Sequence, residues 1–149
     1  MSAQVQGFRS RAKSQAEELL QAISAAESAI VTTIERECEA LRAGRMLAAR
    51  ALHTRLTDAA ALYLNAIKAA RASLWTIEQV LPGSRDQLEE RRIAFAALLK
   101  IEFAVLSATR EEAGDHSPSL SFDDPPPPQD WSRPNRKPVP PQSARRGAR

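Results

Sequence analysis

Nine of the ten prolines in this 149-residue chain lie after Gly114. Proline removes a backbone donor and breaks helix interiors. Residues 1–113 keep only Pro82, so they are free to be helical almost throughout. Within them the strong punctuation falls at Gly44 and at Pro82-Gly83. Aromatic residues make up only 5% of the chain, and the apolar content is mostly Ala, Leu and Ile, which suits helices better than sheets. The sequence predicts an all-α domain over 1–113 and a disordered, Pro-rich, C-terminally basic tail over 114–149.

Periodicity places the helices. Val5, Phe8, Ala12, Ala16, Leu19, Ile23, Ala26, Ile30, Ile34, Cys38 and Leu41 recur every 3.6 residues, the α-helical repeat rather than the 3.5 of a sustained supercoil. A first helix is expected over 4–43, with Gly44 as its left-handed C-terminal stop. Ala48, Leu52, Leu56, Ala59, Tyr63, Ile67, Ala70, Leu74, Ile77 and Leu81 mark a second helix over 46–81. Ser84 with Gln87 three residues on reads as a capping box that opens a third helix over 85–112. Short connections make sequential helices antiparallel neighbours, so the expected architecture is an elongated antiparallel three-helix bundle. The first helix is longer than the third, leaving one of its ends without a partner.

Charge divides at the same boundary. Residues 1–113 hold 15 basic and 14 acidic side chains, whereas from Gln129 onward there are 6 basic and 1 acidic. The high pI therefore belongs to the C-terminus, where prolines dilute the charge below the density of a nucleic-acid-binding arm. PxxP spacing at 125–128 and 138–141 is weak evidence for an SH3-type ligand. A single cysteine, Cys38, excludes an internal disulfide; it falls on the first helix's stripe and reads as a buried small hydrophobe. With His53 and His116 as the only histidines, no metal-ligand set is expected. No Gly-rich phosphate loop occurs. Glu35, Glu37 and Glu39 are spaced so that they do not converge, and read as a solvated face. No nucleophile, base and orienting group come together. The expectation is a non-enzymatic protein with no cofactor. The absence of an apolar leader or an 18-residue apolar span favours a cytoplasmic location.

Binding is left as the function to explain. Residues 93–108, IAFAALLKIEFAVLSA, are apolar most of the way round a helix, whereas a surface helix normally shows one apolar stripe. One set is Leu88, Phe95, Leu99, Phe103 and Leu106; a second is Ile93, Ala97, Leu98, Ile101 and Val105. Burial inside the bundle accounts for one face, and the other fits a partner's amphipathic helix. The candidate partner-binding residues are Phe95, Leu98, Leu99, Ile101, Phe103, Val105 and Leu106. Phe122 and Trp131, the tail's two aromatics, are candidate docking anchors.

The segment IERECEALRAGRM, with Glu35, Glu37, Glu39 and Leu41 ahead of the break at Gly44, followed by a second helix and an apolar third one, resembles the FlgN family of bacterial flagellar export chaperones over roughly residues 19–112. Where that family would carry a charged start to the second helix, this chain has Arg45, Met46 and Leu47. The resemblance implies a cytoplasmic chaperone that binds amphipathic C-terminal helices of hook–filament junction proteins and delivers them to the type III export apparatus. The alternatives are a helical adaptor that self-associates as a homodimer through the third helix and, less favoured, a nucleic-acid-associated protein acting through the tail.

Overall fold

The computed structural model describes residues 2–115, with side chains from Gln4 onward. The chain divides into two units, Met1–Ser117 and Pro118–Arg149; the second lies outside the described residues, as do His116, Phe122 and Trp131. Four helices make up the first: α1 (Ser2–Arg42), α2 (Met46–Ala72), α3 (Leu74–Val80) and α4 (Ser84–Glu112). No strand occurs among the described residues, so the fold is all-helical.

The stop after α1 is the one its glycine implies. Gly44 takes φ +69°, a conformation that costs other residues a clash at Cβ. Its N–H bonds to the Leu41 carbonyl at 3.0 Å, and the Arg45 N–H reaches the Ala40 carbonyl at 2.8 Å. These two bonds are a Schellman motif, which satisfies carbonyls the helix leaves open. Gly114 and Asp115 repeat it after α4, bonding to Glu111 at 3.1 Å and Arg110 at 2.9 Å.

Two expectations are corrected. The second helix is interrupted: Ser73 sits at φ −105°, ψ 9°, between α2 and α3. The apolar stripe runs on through the break, since Ala70 and Ile77 are both buried, which is why periodicity alone did not mark it. The start of α4 is not a capping box either. The residue ahead of the helix is Gly83, at φ +87°, and Ser84 is already helical. The Ser84 hydroxyl donates backwards to the Leu81 carbonyl at 2.6 Å. The open N–H groups of Gly83 and Arg85 are instead received by the two carboxylate oxygens of Glu78, each at 2.9 Å. A carboxylate from α3 therefore caps α4, favoured by the positive end of the helix dipole.

α1 supplies most of the core. Ile30, Ile34, Cys38 and Leu41 pack with Ala49, Leu56 and Ala59 of α2 and with Phe95 and Leu106 of α4. Towards the other end, Ala16 and Ile23 pack with Ala70 and Ile77. Late α1 thus meets early α2, and early α1 meets late α2 and α3, so the two arms run antiparallel. Ala48, expected on the stripe, is exposed, and Ala49 takes the buried place. At the N-terminal end Val5 and Phe8 are 60% and 76% exposed, so the first turns of α1 run beyond their partners.

Candidate functional site

α4 is fixed on one side and open on the other. Its inner face places Phe95 and Leu106 in the core, with Leu99 and Phe103 packed half-buried against it. Phe95 meets Tyr63 of α2 with ring centroids 5.0 Å apart and a 54° tilt, within the range in which aromatic pairs attract. That burial pushes the Tyr63 phenol above its usual pKa. On the flank of α4, Arg91 donates to both carboxylate oxygens of Glu27 on α1, at 2.7–3.0 Å. This bidentate geometry ties the two helices in a fixed register and raises the Arg91 pKa.

The C-terminal half of α4 is anchored by a buried polar cluster. Glu37 on α1 is 2% exposed and Arg110 6%. The Arg110 Nε donates to Glu37 Oε1 at 3.2 Å, and its Nη2 donates to the same oxygen. Nη2 also meets His53 Nδ1 on α2 at 2.5 Å. Because a guanidinium only donates, Nδ1 is the acceptor in this contact. Glu37 Oε2 is buried and has no hydrogen-bond partner among the described residues. The reading of Glu35, Glu37 and Glu39 as one solvated face is therefore corrected at Glu37, while Glu35 and Glu39 are exposed. The signal was present: Glu37 falls in phase with Ile30 and Ile34, and Arg110 lies four residues beyond Leu106. The cluster joins α1, α2 and α4, and its one imidazole acceptor is occupied by Arg110. Cys38, beside it in sequence, is a buried free thiol, its pKa pushed up chiefly by desolvation, so it stays protonated and weakly nucleophilic. Among the described residues no group of His, Cys, Asp and Glu could hold a metal ion.

The outer face of α4 is different in kind. Ile93, Leu98, Ile101 and Val105 are 57%, 40%, 62% and 42% exposed, and Ala94, Ala97, Ala104 and Ala108 among them are exposed too. The two apolar sets of residues 93–108 are thus separated: the first turns to α1 and α2, the second to solvent. Of the seven partner-binding candidates, Leu98, Ile101 and Val105 lie on the open face. Phe95 and Leu106 are core residues, and Leu99 and Phe103 support that core, because their side of the helix is the one that covers α1. Ile93, absent from those seven, belongs to the open face.

Apart from the Val5–Phe8 pair at the N-terminal end of α1, the other exposed apolar side chains do not gather in this way. Leu62 and Leu64 of α2 are 64% and 49% exposed, but residues two apart point to different sides of a helix. Leu47 and Trp75 stand separately on α2 and α3. A groove of about 480 Å³ beside the α2–α3 break is lined by apolar Leu19 and Ile77 together with polar Gln15, Glu18, Ser73 and Thr76. No helix among the described residues is long and apolar enough to cross a membrane. No protein-family model matches the chain, and no curated protein or solved structure matches it either.

Proposed function

We propose that this chain is a non-enzymatic helical binding protein whose outer α4 face receives an amphipathic helix of a protein partner. The observation that carries this reading is the continuous exposed apolar stripe through Leu98, Ile101 and Val105, on a helix whose opposite face is already satisfied. Burying an exposed Leu, Ile or Val is worth roughly 1.5–3 kcal/mol per side chain, so a few of them suffice to drive helix-in-groove association. The inner anchors hold the face rigid, which limits the ordering cost of binding to the partner.

The resemblance to the FlgN family gives the partner a candidate identity: the C-terminal helical segments of hook–filament junction proteins, held in the cytoplasm and handed to the type III export apparatus. Three antiparallel arms, with α2 and α3 acting as one, are the scaffold this role would use. Phe122 and Trp131 are proposed as docking anchors for the export apparatus.

Co-expression with each of the two junction-protein segments tests the reading. The expected result is a soluble complex that survives purification and is lost in Ile101→Asp, with helix content by circular dichroism unchanged. Failure of both segments to co-purify with the wild-type chain would sink the flagellar assignment.

A further inference from the structure

The open face of α4 ends in acid at both ends. Ala94, Leu98, Ile101, Val105 and Ala108 follow alternating steps of four and three residues, the spacing of a helix-pairing seam. The same stripe continues by four-residue steps to Glu90 and Asp86 before it, and by three- and four-residue steps to Glu111 and Glu112 after it. All four carboxylates are exposed.

This arrangement bears on what can cover the face. A second copy pairing in parallel sets Glu90 against Glu90 and Glu112 against Glu112; pairing antiparallel about Ile101 sets Glu90 against Glu112. The parallel orientation opposes like charges at both ends of the seam, whereas the antiparallel one opposes Glu90 to Glu112 but also brings Lys100 opposite Glu102, so the parallel pair is the one the end charges disfavour. The chain's own C-terminal region has the opposite charge, but its sequence is interrupted by prolines at 125–128, 134, 138, 140 and 141.

We propose that the outer face of α4 is a charge-bracketed seat for a partner helix carrying Lys or Arg at both ends of a four-turn apolar seam. The proposal rests on the binding role above and specifies its partner's chemistry. Apolar contact supplies the affinity, and the carboxylates set the register and disfavour acidic-ended helices.

Two fluorescent synthetic peptides test it on the full-length chain by anisotropy. They share one apolar seam of about 15 residues and differ in having paired Lys or paired Glu at both ends. The Lys-ended peptide is expected to bind about tenfold more tightly at low salt, with the preference shrinking as salt approaches ~1 M. The exposed quadruple variant D86N/E90Q/E111Q/E112Q should bind both peptides alike, and Ile101→Asp should weaken both by about tenfold or more. Equal binding of the two peptides to the wild type, or a preference that survives in the quadruple variant, overturns the bracket. So does a free chain that sediments as a dimer dissolved by Ile101→Asp. A junction-protein segment that binds the wild type but not Ile101→Asp, while the peptides show no charge preference, overturns the bracket and leaves the binding face standing.

Discussion

The Glu37–Arg110–His53 cluster makes the most exacting demand of any group of side chains here. Arg110 neutralises a carboxylate that is 2% exposed and spans to His53 on a third element. Removing one partner of a buried pair strands the other, at a cost of about 3–5 kcal/mol. Arg110→Leu should therefore lower the unfolding free energy by that amount in urea denaturation. The double variant Glu37→Leu/Arg110→Leu should recover most of it, because a well-packed apolar pair removes the stranded charge. Glu78 is a second residue whose role depends on a neighbour. Backbone N–H groups of Arg85 and Gly83 hold its carboxyl below the usual carboxylate range. A depressed carboxylate contributes stability above its unfolded pKa and loses it as pH falls through the folded one. Glu78→Gln should thus lower Tm at neutral pH, with the difference from wild type closing in acid; a difference that stays constant with pH contradicts the capping role. Neither residue's partner was legible beforehand. Sequence reasoning assigns Glu37 to solvent from its neighbours at two-residue spacing, and gives the cap to Ser84 from local motif. Both errors arise because the partner comes from another helix.

At the scale of the helix, α4 has two faces with opposite sensitivities. Phe95 fills the core against Tyr63, so Phe95→Ala should cost about 3–5 kcal/mol. Ile101→Asp, at 62% exposure, should change stability by no more than about 0.5 kcal/mol while weakening partner binding. Chemical denaturation of the two variants side by side measures the contrast; comparable destabilisation would mean that the outer face is covered. Periodicity made the helical character of these residues legible, together with the stripe of α1 and the turn at Gly44. It also showed that residues 93–108 carry two apolar sets. It did not assign them, because a helix apolar all round has no phase of its own. The assignment comes from which side packs against Ile34 and Leu56. The break at Ser73 escaped for a related reason: the apolar register is preserved across it, so burial is the same as in an unbroken helix.

Among the described residues, the two apolar clusters draw on residues 16–113. A chain ending at Asp115 should unfold at the wild-type Tm in a calorimetric scan and retain partner binding through α4. The core consumes the inner face of α4 and leaves the outer one as the unsatisfied apolar surface on the helix, and the proposed function rests on that surface. That connection is tested most directly by isothermal titration of a hook–filament junction-protein C-terminal segment into the wild-type chain and into Ile101→Asp at matched Tm. The account predicts one site per chain, weakened about tenfold to a hundredfold by the substitution, the loss expected from one buried isoleucine. Equal affinity for the two proteins would contradict it.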